Sequence, residues 1–311
     1  AWELDRTASI CPNCTQGCNV IMETRENQLV RMRPRPNEYV NAFFMCDWGR
    51  LNYRWMNEKN RAERPMVRRN GSLAAASWDV AISAAARALS GKGVFVAASP
   101  MLSNESLYLL TQLMGGGSGA FRVTEGDEAP LPGVPDLALR RERAANVNGA
   151  EALGFRKTKE LLAGLKQGDV LVVAGEDLAG IDASAIAGAS DVIVISSVLP
   201  EAATKASVVL PIANFSEEEG TVTNLRGRVQ RFTQARQAPG ETRPSWLVLG
   251  DLLGAMGKQD SFFLPSDVFA KLASSNSAFS GLSYDSLGFK GLPLANAPDS
   301  GPKTSIAMGA A

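Results

Sequence analysis

Four cysteines supply every thiol in this 311-residue chain, and three of them crowd one short stretch. Cys11, Cys14 and Cys18 fall in ICPNCTQGCNV, while Cys46 stands alone in FMCDWGR, giving the spacing C-x2-C-x3-C-x27-C. Three thiolates on one loop can grip one face of a compact inorganic group, and a distant fourth can close the shell. The loop has residues suited to wrapping: Pro12 stiffens it, Asn13 tolerates a left-handed turn, and Gly17 frees the backbone beside Cys18. Two groups fit four thiolates, a tetrahedral zinc ion and a cubane [4Fe-4S] cluster. Zinc sites usually pair two CxxC knuckles, whereas a lone fourth cysteine and an x3 step suit the wider cubane. Two disulfides would also use four cysteines, but a chain this long has no need of such staples.

The rest of the composition narrows the chemistry. Histidine is absent, which removes histidine ligands, histidine general bases and Ser-His or Cys-His nucleophile pairs. The 32 basic residues balance the 32 acidic ones, as in an ordinary globular protein and unlike a nucleic-acid binder. Arg31, Arg33, Arg35 and the run from Arg61 to Arg69 make the first 70 residues locally basic, either a docking face for an acidic partner or solvated surface. No run approaches the roughly 18 apolar residues of a membrane span, and no secretory signal is evident, so any membrane link is expected to run through partners. The chain opens at Ala1, which reads as a processed or partial product.

The elements that must position the cysteines follow from pattern. NVIMETRENQLVRMRPR reads as a hairpin turning at Arg25-Glu26-Asn27, and Asp47 to Met56 as a helix with Trp48, Leu51 and Trp55 on one side. PMVRRNGSLAAAS predicts a second hairpin about Asn70-Gly71. From Ser77 helices and strands alternate: SWDVAISAAARALS, GVFVAAS, NESLYLLTQLM, GGGSGAFRV, then, after a break over 125–150, KTKELLAGLKQG, DVLVVAG, DASAIAGAS, DVIVISS and ASVVLPI. Such alternation predicts an α/β fold with a doubly wound parallel sheet. RPSWLVLGDLLGAMG and LPSDVFAKLAS add helices. The Gly/Ser/Pro-rich remainder reads as an extended arm that frays or lies across a partner. The expected division is a small β-rich iron-sulfur module over 1–75, a first α/β segment and linker over 76–150, a doubly wound domain over 151–275, and the arm over 276–311.

The cysteine spacing, the adjoining hairpin and FMCDWGRLNYRWMNEKNR resemble the iron-sulfur module that opens the molybdopterin oxidoreductase superfamily. Within it, AWELDRTASICPNCTQGCN and CDWGR are most similar to the family of large iron-sulfur subunits of bacterial NADH:quinone oxidoreductase, respiratory complex I. DVLVVAGEDLAG and DVIVISSVLPEAATKASVVLPIANFSEEEGTVTNLRGRVQRF resemble that family's carboxy-terminal doubly wound region. The resemblance implies one [4Fe-4S] cluster on Cys11, Cys14, Cys18 and Cys46. It also implies an electron-transfer and scaffold role among the other peripheral-arm subunits, on the cytoplasmic face of the inner membrane, with no catalytic residue of its own.

Catalytic members of the superfamily carry a molybdenum or tungsten bis-pterin, commonly with Lys or Arg two residues after the fourth cysteine. Trp48 stands there in this chain, no cysteine is left to ligate a second metal, and the middle of the chain is short, so molybdopterin is not expected. Gly220, Thr221, Asn224, Gly227 and Arg228 are the residues that a pterin-type pocket would use; the alternative is a scaffold loop. Asp177 in GEDLAG is a weak ribose-binding candidate or a helix cap. GGGSG at 115–119 lacks the GK[ST] of a phosphate loop and reads as a turn. Trp48, Tyr53 and Trp55 read as an apolar shell about Cys46 rather than an electron path. The rival functions are a catalytic bis-pterin oxidoreductase of the formate dehydrogenase or nitrate reductase type and a zinc-stapled interaction protein.

Overall fold

A computed structural model describes residues 3–176, 178–181, 183–258 and 261–301. Its first unit is an antiparallel sheet of β1 (Asp5–Ile10), β2 (Asn19–Arg25) and β3 (Gln28–Pro34). Glu26 and Asn27 both take positive φ, 50° and 59°, the left-handed turn whose twist matches a hairpin. Ile10, Val20, Met22, Leu29 and Met32 line its buried face and pack with Met56, Phe215 and Phe232. The helix expected from Asp47 to Met56 is two pieces, α1 (Asp47–Leu51) and a 3-10 turn at Arg54–Asn57. Its expected apolar side is turned outward in part, with Trp48 47% and Leu51 66% exposed, because the buried member of α1 is Gly49.

The hairpin β4 (Met66–Arg69) and β5 (Ser72–Ala75) turns at Asn70-Gly71 as expected. Then come α2 (Trp78–Leu89), β6 (Val94–Ala98), α3 (Asn104–Met114) and β7 (Ser118–Phe121). Ser77 and Ser103 cap the two helices through their side-chain oxygens. The 125–150 break holds a two-stranded hairpin, β8 (Ala129–Leu131) with β9 (Val134–Leu139), and the start of α4 (Val147–Ala152). β10 (Arg156–Lys157), β11 (Val170–Ala174), α5 (Ala183–Ile186), β12 (Asp191–Ser196) and β13 (Val208–Pro211) resume the alternation. KTKELLAGLKQG, expected as a helix, forms turns instead. Gly164 interrupts it, lying so close to the Phe95 ring that a Cβ would stand 2.7 Å from it, and Leu161 and Leu162 are buried as single anchors.

The large sheet runs β10-β7-β6-β11-β12-β13-β4-β5. β10 through β13 are parallel, whereas β4 joins β13 antiparallel, so the 66–75 hairpin pairs with the α/β sheet rather than with the cysteine module. All residues of β6 and β11 are buried, and the alternation divides them between two cores. Val94, Val96, Ala98, Val170 and Val172 face α2 and α3; Phe95, Ala97, Leu171 and Val173 face Leu161, Leu162 and Ile186 on the other side.

β14 (Gly220–Thr223) and β15 (Arg228–Phe232) form a hairpin, followed by α6 (Ser245–Ala255) and α7 (Pro265–Ser275). The segment expected to be an extended arm packs, over its described part, onto its own chain. It contains α8 (Tyr284–Leu287) and β16 (Leu292–Pro293), and β16 pairs with β15. Phe279, Tyr284 and Leu287 are the anchors, all buried among α7 and its neighbours.

Candidate metal centre

β1 and β2 pair through Ile10 and Asn19, which leaves Cys11 to Cys18 as an eight-residue loop between antiparallel strands. The loop is pinched shut by Cys11 N–H donating to Cys18 O at 2.8 Å, and turned by Gly17 N–H donating to Cys14 O at 3.2 Å. Gly17 has φ 59°, and a Cβ there would stand 2.9 Å from Gln230 Nε2 and 3.0 Å from Asn224 Cβ. Both the backbone conformation and the close approach therefore require glycine. The loop is seated on the β14–β15 hairpin. Leu225 N–H donates to Thr15 O (2.8 Å), Gln230 Nε2 to Gly17 O (3.0 Å), and Asn19 Nδ2 to Gln230 Oε1 (2.6 Å).

Cys46 arrives from the other side as the residue that caps α1, its Sγ accepting from Gly49 N–H at 3.3 Å. An ideal Cβ on Gly49 would lie 3.0 Å from Cys11 Sγ and 3.6 Å from Cys46 Sγ, so the two sulfurs flank one small gap. All four cysteines are free thiols; Cys11, Cys14 and Cys18 are buried and Cys46 is half-buried. Burial pushes the Cys11, Cys14 and Cys18 thiols up, and mutual repulsion within the quartet adds to it: Cys14 and Cys46 on Cys11, Cys46 on Cys14, and the other three on Cys18. Opposing this, Asn13 hydrogen-bonds Cys11, and the backbone of Arg140 and Gln16 hydrogen-bonds Cys14.

The donor set is therefore four gathered thiols with hydrogen bonds aimed at sulfur, in a pocket short of the positive charge that four thiolates need, Arg143 beside Cys14 supplying only part of it. A cationic inorganic group fits that lack. A single zinc ion, with Zn–S of about 2.3 Å, would hold its sulfurs roughly 3.8 Å apart. Among the described residues no three Cys, Asp or Glu side chains are arranged to hold a single metal ion. A cubane takes its four thiolates on a wider frame.

Two residues of the site lie where spacing gave no signal. Arg143 places its guanidinium over the Trp48 ring at 5.6 Å and favours the Cys14 thiolate, and Arg140 donates to Gln16 Oε1 at 2.9 Å. The position two residues after Cys46 is thus an exposed indole with a cation laid on it from another segment. Trp55 is the aromatic that reaches inward, with Nε1 donating to Asn13 Oδ1 at 3.4 Å, while Tyr53 donates to Val30 O.

Arg143 also lines a cavity of about 490 Å³ with Ser99, Arg122, Thr124, Gly175 and Glu176. It opens at the carboxyl ends of β6, β7 and β11, where the strand order reverses and doubly wound folds take ligands. Arg122 and Glu176 form an ion pair across it at 2.9 Å. Asp177, the ribose or cap candidate, lies outside the described residues.

The five pterin-type candidates sit together on and around the β14–β15 hairpin, and contacts within the chain engage them. Arg228 is buried, and its Nε, Nη1 and Nη2 donate to Lys290 O (2.9 Å), Asp299 Oδ1 (2.6 Å) and Gly291 O (2.8 Å). Its guanidinium lies 4.1 Å from the centre of the Tyr39 ring. Thr221 donates through N–H and Oγ1 to Glu105. Asn224 Oδ1 accepts from the N–H groups of Arg226 and Arg228. A Cβ on Gly220 would stand 2.8 Å from Ser103 Cβ, and Gly227 carries the positive φ of the turn, 74°. The same hairpin leads to two carboxyls that the sequence did not single out. Burial pushes Glu105 up to about 7 and Glu218 up to about 8, against hydrogen bonds from Thr221, Tyr284 and Ser245 that favour the carboxylate.

The family description Molybdopterin oxidoreductase matches residues 61–180 and 141–255, and Molybdopterin oxidoreductase Fe4S4 domain matches residues 4–58, the span that holds all four cysteines. The chain belongs to the molybdopterin oxidoreductase family. A solved structure, acetylene hydratase from Pelobacter acetylenicus, superposes with a TM-score of 0.55 at 9% identity, covering 94% of this chain and 74% of that one, a likeness of fold alone. Among curated proteins, the NADH-quinone oxidoreductase G subunit of Pseudomonas fluorescens is 37% identical over 114 residues, 37% of this molybdopterin oxidoreductase and 12% of the relative. Its counterpart in Salmonella typhimurium is 32% identical over 147 residues, 47% of this chain and 16% of the relative. Subunit 3 of the Thermus thermophilus enzyme is 37% identical over 83 residues, 27% and 10%. The chain thus spans a small part of each of these relatives.

Proposed function

We propose that this chain is an electron-carrying and scaffold part of an NADH:quinone oxidoreductase, binding one [4Fe-4S] cluster on Cys11, Cys14, Cys18 and Cys46. The observation that carries the reading is the gathering of four free thiols from two loops inside a span that matches an Fe4S4 domain. When bound, such a cluster supplies reversible one-electron transfer. The chain's own residues do the rest: Cys46 and the three loop cysteines ligate, and Gly17, Asn224 and Gln230 seat the loop. Asn13, Gln16 and Arg140 hydrogen-bond the sulfurs or support those that do, and Arg143 brings positive charge beside Cys14.

Gly220, Thr221, Asn224, Gly227 and Arg228 act as scaffold in this reading: Thr221 and Arg228 are engaged by Glu105, Lys290, Gly291 and Asp299, and Asn224 Oδ1 holds the turn, although its buried Nδ2 has no partner among the described residues. Partners are the other peripheral-arm subunits, on the cytoplasmic face of the inner membrane. Contact with the membrane is indirect in this reading, through those subunits; among the described residues no helix is long and apolar enough to cross it.

Anaerobic quantitation of iron, acid-labile sulfide, zinc, molybdenum and tungsten, joined to EPR of the reduced protein, tests the proposal. About four iron and four sulfide per chain with a reduced-cluster signal is the expected result. One zinc in a colourless, EPR-silent protein would overturn it, and molybdenum or tungsten with extractable pterin would replace it by a catalytic reading.

A further inference from the structure

The geometry points to Gly49 as a positioning residue for the cluster: its missing side chain keeps open the gap between Cys11 and Cys46 that one corner of the group must enter. The inference rests on the proposed ligation by the four cysteines. Gly49 is the one buried residue of α1, and its N–H donates to Cys46 Sγ at 3.3 Å. A Cβ would meet Cys11 Sγ at 3.0 Å, Met45 Cε at 3.3 Å and Cys46 Sγ at 3.6 Å.

Nothing in the backbone asks for glycine here, since Gly49 is not among the residues with positive φ. Within a helix, glycine is about 1 kcal/mol less favourable than alanine. What glycine provides is therefore the absent carbon between two sulfurs. The Met45 methyl ends a flexible side chain and can swing aside. The Cys11 thiol can rotate away too, but only while it ligates nothing. A side chain at position 49 thus leaves the empty fold alone and opposes the loaded one.

Gly49→Ala, Gly49→Ala/Met45→Ala and, as a control at an open position, Gly116→Ala are each reconstituted anaerobically beside the wild type. Iron and sulfide content, the EPR spectrum of the reduced protein and thermal unfolding of the apoprotein are the readouts. We expect the Gly49→Ala apoprotein to melt at or above the wild-type temperature. Its iron and sulfide should fall several-fold, or its EPR g-values and midpoint potential should shift at full loading, and Met45→Ala should not restore them. Loading, spectrum and potential equal to those of the wild type would overturn the inference, as would full rescue by Met45→Ala, which would make the methionine the only obstacle. A wild type without iron and sulfide would instead bring down the ligation reading and this inference with it.

Discussion

Glu105 and Glu218 give the chain a pH dependence whose sign and size follow from their surroundings. Both side chains are buried. Glu105 accepts from Thr221 N–H (2.8 Å), Thr221 Oγ1 (3.0 Å) and Tyr284 OH (2.8 Å), and Glu218 from Ser245 N–H (2.6 Å) and Oγ (2.9 Å). These bonds favour the carboxylate, yet burial outweighs them and lifts the two from 4.5 to about 7 and about 8, with the charges of Glu105 and Glu217 adding to the rise at Glu218. The folded chain therefore keeps protons that the unfolded chain releases. The resulting stabilisation is fully present below pH 4.5 and is lost as pH rises through 7 to 8. At about 1.4 kcal/mol per pH unit, the share of Glu105 is roughly 3 kcal/mol. With an unfolding entropy of about 2.1 cal/mol/K per residue, that is a fall in Tm of roughly 5 °C between about pH 5 and pH 8. Glu105→Gln keeps a neutral group of the same shape and removes that share. The assay is thermal unfolding by circular dichroism of wild type and variant at matched cluster loading, every half pH unit. The variant should lose less Tm across the window than the wild type. Identical slopes, or a wild-type Tm that climbs with pH over this range, would refute the reasoning.

Other perturbations read the site and its supports. Cys46→Ser should lose or convert the cluster, measured as iron, sulfide and EPR, while the far-UV spectrum of the α/β body is kept. Gly17→Ala forces an L-residue to φ 59° and pushes a Cβ against Gln230 and Asn224, so it should lower stability by about 2 kcal/mol and reduce iron loading together. Arg61→Met breaks the paired bonds from Nη1 and Nη2 to Glu217 at 2.6 and 2.7 Å, leaving a buried carboxylate with Arg236 as its remaining ion-pair partner and the Asn214 N–H at 2.9 Å. A loss of about 3 kcal/mol in denaturant unfolding is expected, partly recovered by adding Glu217→Gln.

What could be read in advance was local. The Asn70-Gly71 turn and the apolar runs of β6, β11 and β12 each act over a few residues, and the structure keeps them. The failures share a cause in contacts between distant segments. Trp48 and Leu51 have helical spacing with Trp55, but α1 ends at Leu51 and turns Gly49 to the core, so periodicity misjudged which side is buried. Leu161, Leu162 and Gly164 in KTKELLAGLKQG answer to Phe95 and the sheet rather than to helix propensity. Phe279, Tyr284 and Leu287 looked like scattered apolar residues in a polar tail, and only the groove along α7 and β15 makes anchors of them. Arg140 and Arg143 lie more than 120 residues beyond Cys14, the cysteine they act on, where no spacing rule reaches.

EEEGTVTNLRGRVQ gains its meaning from the same distant contacts. Its turn receives the cysteine loop through Leu225, Asn224 and Gln230, while its first strand binds Glu105 at the start of α3 and the preceding Glu218 binds Ser245 at the start of α6. One hairpin thus fixes the cysteine loop to the helices that cover the parallel sheet, using groups that are mostly buried and, Asn224 Nδ2 apart, already hydrogen-bonded. A polar network in this state is rigid because each member would lose its partner on moving, at a cost of about 1–3 kcal/mol per orphaned group. That rigidity suits a carrier more than a pocket: it would hold four sulfurs at fixed separation through a change of cluster charge, and it commits both Thr221 donors and three of the five Arg228 N–H groups to partners within the chain.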